Sequence, residues 1–127
     1  MAEFIPQHVP TSADALLSGY LAAAEWLLDE ETDHDAITGW SGQAIADATA
    51  DCEAFAETYA TQLEAYYAIT GRDAEHAGHD LWLSRNGHGA GFFDRGTEPV
   101  FRELQKAARG FGSSDAYLGD DGQLYLS

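Results

Sequence analysis

The residues best equipped for chemistry crowd into one stretch, His79-Asp80-Leu81-Trp82-Leu83-Ser84-Arg85-Asn86-Gly87-His88, continued by Asp94 and Arg95. A histidine can act as a general base near neutral pH, a carboxylate can orient it, and a guanidinium can stabilise an anion. His79, Asp80, Arg85 and His88 are therefore the candidate catalytic set of a small hydrolase or transferase. Each has a structural explanation too. Asn86, Gly87, Gly89 and Gly91 suit turn and sheet geometry, and Asp80 or Asp94 with Arg85 or Arg95 can form cross-strand ion pairs worth under about 1 kcal/mol each. The same region offers imidazoles to a metal. His76-x-x-His79 fits one helical turn, but His88 would have to fold back, and there is no Cys partner or HExxH pattern. Asp115, Asp120 and Asp121 lack the calcium-loop spacing. No phosphate loop, nucleophile elbow or dinucleotide fingerprint occurs. The expectation is no metal, no cofactor, and a binding protein ahead of an enzyme.

Stepping outward, helical spacing runs over residues 12–28, where Leu17, Tyr20, Leu21, Ala24 and Leu28 recur and Thr11, Ser12 or Asp14 can cap. A second helix is expected over residues 41–69, with Ile45, Ala48, Cys52, Phe55, Tyr59, Leu63 and Tyr66 in one stripe and Gly71 as its cap. Unbroken, it would reach about 40 Å, a length that leaves room for a kink. Residues 73–78 read as a helical connector. Beyond them the period changes to two. Leu81, Leu83, Ala90 and Phe92 share one face of a hairpin closed by Asn86-Gly87 in a type I′ turn. A third helix covers residues 98–110, with Pro99 in its first turn and Phe101, Leu104 and Ala108 inward.

The chain closes on a second hairpin. A three-residue loop of Asp120-Asp121-Gly122, with Gly122 left-handed, pairs Leu118 with Leu124, Tyr117 with Tyr125 and Ala116 with Leu126. The fold class that follows is α+β, with N-terminal helices packed on an antiparallel sheet made of two β-hairpins flanking a third helix. Residues 1–127 form a single domain, an acidic helical part over 1–71 and a hairpin-helix-hairpin part over 72–127. Residues 1–10 are an extended lead-in punctuated by Pro6 and Pro10.

Charge is the most informative bulk property. Twenty-two acids oppose six bases for a net charge of −16, and all six bases (Arg72, Arg85, Arg95, Arg102, Lys106 and Arg109) lie beyond residue 71. Such a field repels nucleic acids and anionic membranes and attracts basic surfaces. No apolar run approaches the roughly 18 residues of a membrane span, and the N-terminus lacks a signal-peptide pattern, so a cytoplasmic site is expected. Cys52, the one cysteine, sits on the apolar stripe and reads as a buried thiol.

The stretch from Ala77-Gly78-His79-Asp80 through Asn86-Gly87-His88-Gly89-Ala90-Gly91-Phe92-Phe93-Asp94-Arg95 resembles the signature of a family of small acidic proteins encoded by phages, plasmids and other mobile elements. The resemblance takes in Ala50-Asp51-Cys52-Glu53-Ala54-Phe55, Ala107-Ala108, Phe111-Gly112 and the segment from Asp115 to Tyr125, so it covers roughly residues 50–126. It implies no particular reaction. It implies a mobile-element origin, a host-cell cytoplasmic setting, and a raised expectation of a protein that disarms host defences.

The remaining candidate site is the acidic surface. Asp29, Glu30, Glu31, Asp33 and Asp35 form a solvated loop. Asp47, Asp51, Glu53 and Glu57 stand on the second helix, where like charges four apart cost roughly 0.2–0.5 kcal/mol per pair. One rationale is imitation of a nucleic-acid backbone, with a negative charge every ~1.7 Å of duplex axis. The expected function is non-catalytic: binding and inhibiting a basic host protein that handles nucleic acid, of the DNA-mimic, anti-CRISPR or anti-restriction kind. A salt-adapted source, or solubility alone, also accounts for the acidity. A further reading is an assembly protein or homodimer, because Trp26, Trp40, Tyr66 and Tyr67 exceed what one small core needs.

Overall fold

The computed structural model describes residues 12–127, so the lead-in over residues 1–10 and a cap at Thr11 lie outside the described residues. The first helix, α1 (Ser12–Trp26), ends close to where its apolar spacing ends. The second expected helix is divided at Tyr59, whose φ of −112° and ψ of 28° leave the helical region. This gives α2 (Gly42–Thr58), capped by the Ser41 side chain, and α3 (Ala60–Thr70), closed by Gly71 at φ 72°. Helix α5 (Pro99–Arg109) carries Pro99 in its first turn and buries Phe101, Leu104 and Ala108.

The expected first hairpin is absent, and the reason is local. Its residues belong to helix α4 (Ala74–Arg85), which absorbs the connector and runs through Leu81 and Leu83. Asp73 and His76 form a reciprocal capping box at its start. At its end Asn86-Gly87 is a helix stop, not a hairpin turn. Gly87 at φ +70° donates its N–H to the Ser84 carbonyl and His88 donates to Leu83, the paired bonds of a Schellman motif. The chain then folds back, and a short 3-10 turn, Phe92–Asp94, drops the Phe92 ring into the core. The part beyond residue 71 is thus helix, 3-10 turn, helix and hairpin.

The C-terminal hairpin has the expected register. Strands β2 (Ala116–Leu118) and β3 (Gln123–Leu126) pair Ala116 with Leu126, Tyr117 with Tyr125 and Leu118 with Leu124, and Gly122 sits at φ +82°. Instead of a four-stranded antiparallel sheet, β3 is flanked on its other side by a two-residue strand, β1 (Gly39–Trp40), running parallel to it. Over the described residues the protein is therefore α+β, with five α-helices and a small three-stranded mixed sheet.

The core lies between the helices. Phe55, Tyr66, Phe92 and Phe101 meet at centroid distances of 5.5–6.3 Å, with Cys52, Leu63, Leu81 and Leu104 filling around them. Helices α1 and α4 cross at close range because each places a glycine at the contact: Gly19 lies on the Glu75 backbone and Gly78 on Leu16 and Tyr20. Tyr20 then meets Trp82 edge-to-face at 5.2 Å. Among the described residues no helix is long and apolar enough to cross a membrane.

Two outcomes test this packing. Gly78→Ala should cost about 1–3 kcal/mol, since the new methyl meets helix backbone that cannot move aside, whereas Gly89→Ala faces open space and should melt like the parent. Paired thermal melts measure the difference. Cys52 has no solvent exposure, and burial, aided by the Asp51 charge, pushes its thiol up to about 12. The thiol is thus protonated at pH 8, and a thiol reagent should modify it only at the rate of unfolding.

Candidate functional site

The charged residues of the 77–95 stretch divide into two buried networks and a remainder. In the first, Asp80 is fully buried on α4. Arg95 grips it bidentately, Nε donating to Oδ2 at 2.9 Å and Nη2 to Oδ1 at 2.6 Å. The Tyr66 hydroxyl donates to Oδ2 at 2.7 Å and accepts from Arg72 Nε at 3.0 Å. Burial and then the Asp80 hydrogen bond push the Tyr66 phenol well above its ordinary pKa, so it stays a donor. The Asp80 contact likewise raises Arg95. Each carboxylate oxygen is thus satisfied by groups with their own structural role.

In the second network Arg85, only 9% exposed, spreads its donors over four acceptors. Nη1 reaches Tyr20 Oη at 2.7 Å and Asp51 Oδ2 at 2.9 Å, Nε reaches the Gly112 carbonyl at 2.8 Å, and Nη2 reaches that of Phe111 at 3.1 Å. The guanidinium also lies 5.6 Å from the Phe111 ring centroid. Burial lifts the Tyr20 phenol to about 12 despite the nearby Arg85 charge. One side chain therefore ties α4 to α1, α2 and the segment after α5. Asp51, expected on the partner-binding face, spends its charge on this clamp.

The candidate catalytic set consequently faces different surroundings. Asp80 is sealed in the first network and Arg85 in the second. His79 lines an apolar groove with Trp26 and Leu83, and His88 is exposed on the rim of a polar cleft with Asn86 and Asp115. His76 serves the α4 cap through Asp73, 2.8 Å away. Among the described residues no three His, Cys, Asp or Glu are grouped to hold a metal ion. The Asp80–Arg95 pair does form, though it joins a helix to a loop, not two strands.

The acidic positions are where solvent is. Asp29, Glu30, Glu31, Asp33 and Asp35 are exposed, as are Asp47, Glu53 and Glu57 on α2. The segment over residues 29–35 is more ordered than a plain loop. Asp29 accepts from the Glu31 N–H at 2.9 Å, and Asp33 caps a 3-10 turn at His34–Ala36 by accepting from Asp35 N–H at 3.1 Å. Of the four aromatics expected to exceed the core, Tyr66 is fully buried and Trp40 and Tyr67 pack against the core, which leaves Trp26 at the surface. It is 83% exposed at the end of α1, off the stripe that buries Leu16, Tyr20 and Ala23.

The two kinds of motif residue should separate in a melt. Asp80→Asn leaves Arg95, whose side chain is 22% exposed, against a neutral amide and should cost about 1–3 kcal/mol. Gly87→Val strains a left-handed position by roughly 1–3 kcal/mol, while His88→Ala should stay within about 0.5 kcal/mol. Thermal denaturation ranks all three, and an early melt for His88→Ala would contradict its exposed placement. Comparison with family models, with curated proteins and with solved structures finds no match to this chain, so the reading of these residues rests on their geometry.

Proposed function

We propose that this chain is a non-catalytic acidic protein that binds a basic, nucleic-acid-handling protein and competes with nucleic acid for it. The observation that carries this reading is the allocation of charge. Arg72, Arg85 and Arg95 are committed to Tyr66, Asp51 and Asp80, which leaves Arg102, Lys106 and Arg109 on α5 as the exposed cations among the described residues. The carboxylates of residues 29–35 and, on α2, of Asp47, Glu53 and Glu57 face water in a chain that supplies no lysine or arginine before Arg72. Glu53 and Glu57 stand one turn apart as like charges, which weakens α2, so their presence is better explained by what they meet than by what they do for the fold. The resemblance of the 77–95 stretch to proteins of mobile elements fits an anti-defence role in a host cell, with a nuclease, repressor or guide-RNA complex as the class of target.

The test is capture on the immobilised full chain from a bacterial host lysate, eluted stepwise with salt. Nucleic-acid-binding proteins should be retained at low ionic strength, released steeply as salt rises, and displaced by duplex DNA. The combined variant Asp47→Asn, Glu53→Gln, Glu57→Gln should release them at lower salt than the parent. Retention of no basic protein at any salt would remove the proposal.

A further inference from the structure

Two concavities share Leu27, at the C-terminal end of α1, in their lining, and they take in His88 and His79, two motif side chains that the buried networks leave unused. One is a polar cleft of about 720 Å³ between the end of α1, the end of α4 and the segment leading into β2, and Asp29, Trp82, His88, Asp115 and Tyr117 are among its lining. The other is an apolar groove of about 410 Å³ lined by Ala22, Trp26, Leu27, His79 and Leu83. Both are of a size that takes side chains or small ligands.

We propose that the two concavities are one docking site for a basic, amphipathic segment of the partner protein, with an apolar side chain covering Trp26 in the groove and a neighbouring lysine or arginine entering the cleft. The inference rests on the reading of the chain as an acidic binding protein and moves its centre from α2 to the end of α1. Charge complementarity names the occupant. Among the described residues lining the cleft there is no lysine or arginine, Arg109 standing outside it against Gly87, while Asp29 and Asp115 contribute carboxylates and Tyr117, 49% exposed, offers a ring to a guanidinium. Glu30, Glu31, Asp33 and Asp35 follow directly on Asp29, so a cationic segment is steered toward this end of the molecule. The groove supplies what the acidic α2 face lacks, an anchor. Exposed tryptophan beside an apolar floor is the kind of residue that dominates interface energetics, whereas rim charges chiefly set rate and salt dependence. A second copy of this chain is a poor occupant, since each copy carries −16 and brings the same carboxylates to the contact.

The probe is a synthetic helical peptide of lysine and leucine with the two residue types segregated to opposite faces, compared with a scrambled peptide of identical composition. Binding to the full chain is followed by tryptophan emission and by amide NMR shifts. The segregated peptide should bind about tenfold more tightly than the scramble and shift amides in residues 22–29, 79–88 and 113–117. Trp26→Ala, and Asp29→Asn with Asp115→Asn, should each weaken it about tenfold. Glu53→Gln with Glu57→Gln removes the same charge from α2 and should change affinity less than about threefold. Circular dichroism confirms that each variant is folded. Equal binding of both peptides, an α2 variant as costly as the cleft variant, or self-association through Trp26 without peptide binding would each overturn the docking site. A basic protein still captured from lysate by the Trp26→Ala and cleft variants would overturn it while leaving the broader acidic-binding reading in place.

Discussion

A carboxylate with no access to water must be neutralised where it stands, and Asp80 is such a group. Its solution is a bidentate arginine plus a tyrosine hydroxyl, and each of those partners is fixed on a different segment. Arg95 can reach Asp80 only if the chain after α4 doubles back along that helix. The Schellman stop at Gly87 begins that reversal, and Gly91 completes it by lying against Ser84, whose hydroxyl accepts from the Phe92 N–H at 3.0 Å. The reversal delivers Phe92 to the ring cluster. The most polar-looking stretch of the sequence is thus the one that closes the core.

Arg85 extends the same logic to the other side of α4. A guanidinium with so little exposure has five donors to satisfy and little water to help, so fixed acceptors must meet most of them. Two backbone carbonyls, a phenol and Asp51 supply them. These two networks draw on Arg72, Arg85 and Arg95. Arg85 and Arg95 each take an aspartate with them, so the net outward charge stays close to the compositional −16, and what the networks change is where the exposed cations stand, which is on α5. Architecture and surface field are coupled through the same three arginines.

How much of this was legible depends on what marks each element. Helix α5 and the C-terminal hairpin carry unmixed signals, Phe101-Leu104-Ala108 at helical spacing and leucines separated from tyrosines by register, and both came out as read. Helix α4 hides its period because several buried positions on it are Gly78, Asp80, Ser84 and Arg85, which no hydrophobic pattern counts. Leu81 and Leu83 then imitate a strand, and Asn86-Gly87 serves a helix stop as well as a hairpin turn. The discriminating signals were present: Asp73 three residues before His76, and Ala77, Leu81 and Arg85 at a spacing of four. Strand β1 has two residues and no pattern of its own, since its pairing depends on where β3 lies. Of the candidate site, the exposed carboxylates were legible from composition and Trp26 from the surplus of aromatics, but the Arg85–Asp51 pair, 34 residues apart, and the burial of Tyr66 required the fold.

Rigidity at the end of α1 follows from how that helix is held. The reciprocal contacts at Gly19 and Gly78 leave no slack between α1 and α4, and the Tyr20 hydroxyl is bonded to Arg85. One turn beyond Tyr20, Ala23 and Ala24 are buried, while Trp26 turns outward and Leu28 turns in. A tryptophan projecting from a freely moving terminus would lose conformational freedom on binding, at a cost that subtracts from affinity. Where it projects from a helix clamped on two sides, its backbone has little left to lose, and only the side chain must still be ordered. The adjoining aspartates are restrained as well, Asp29 and Asp33 each accepting a backbone N–H two residues ahead. The end of α1 therefore presents an apolar anchor and a row of carboxylates in a fixed relation, which is the condition under which charge complementarity becomes selective and not merely attractive.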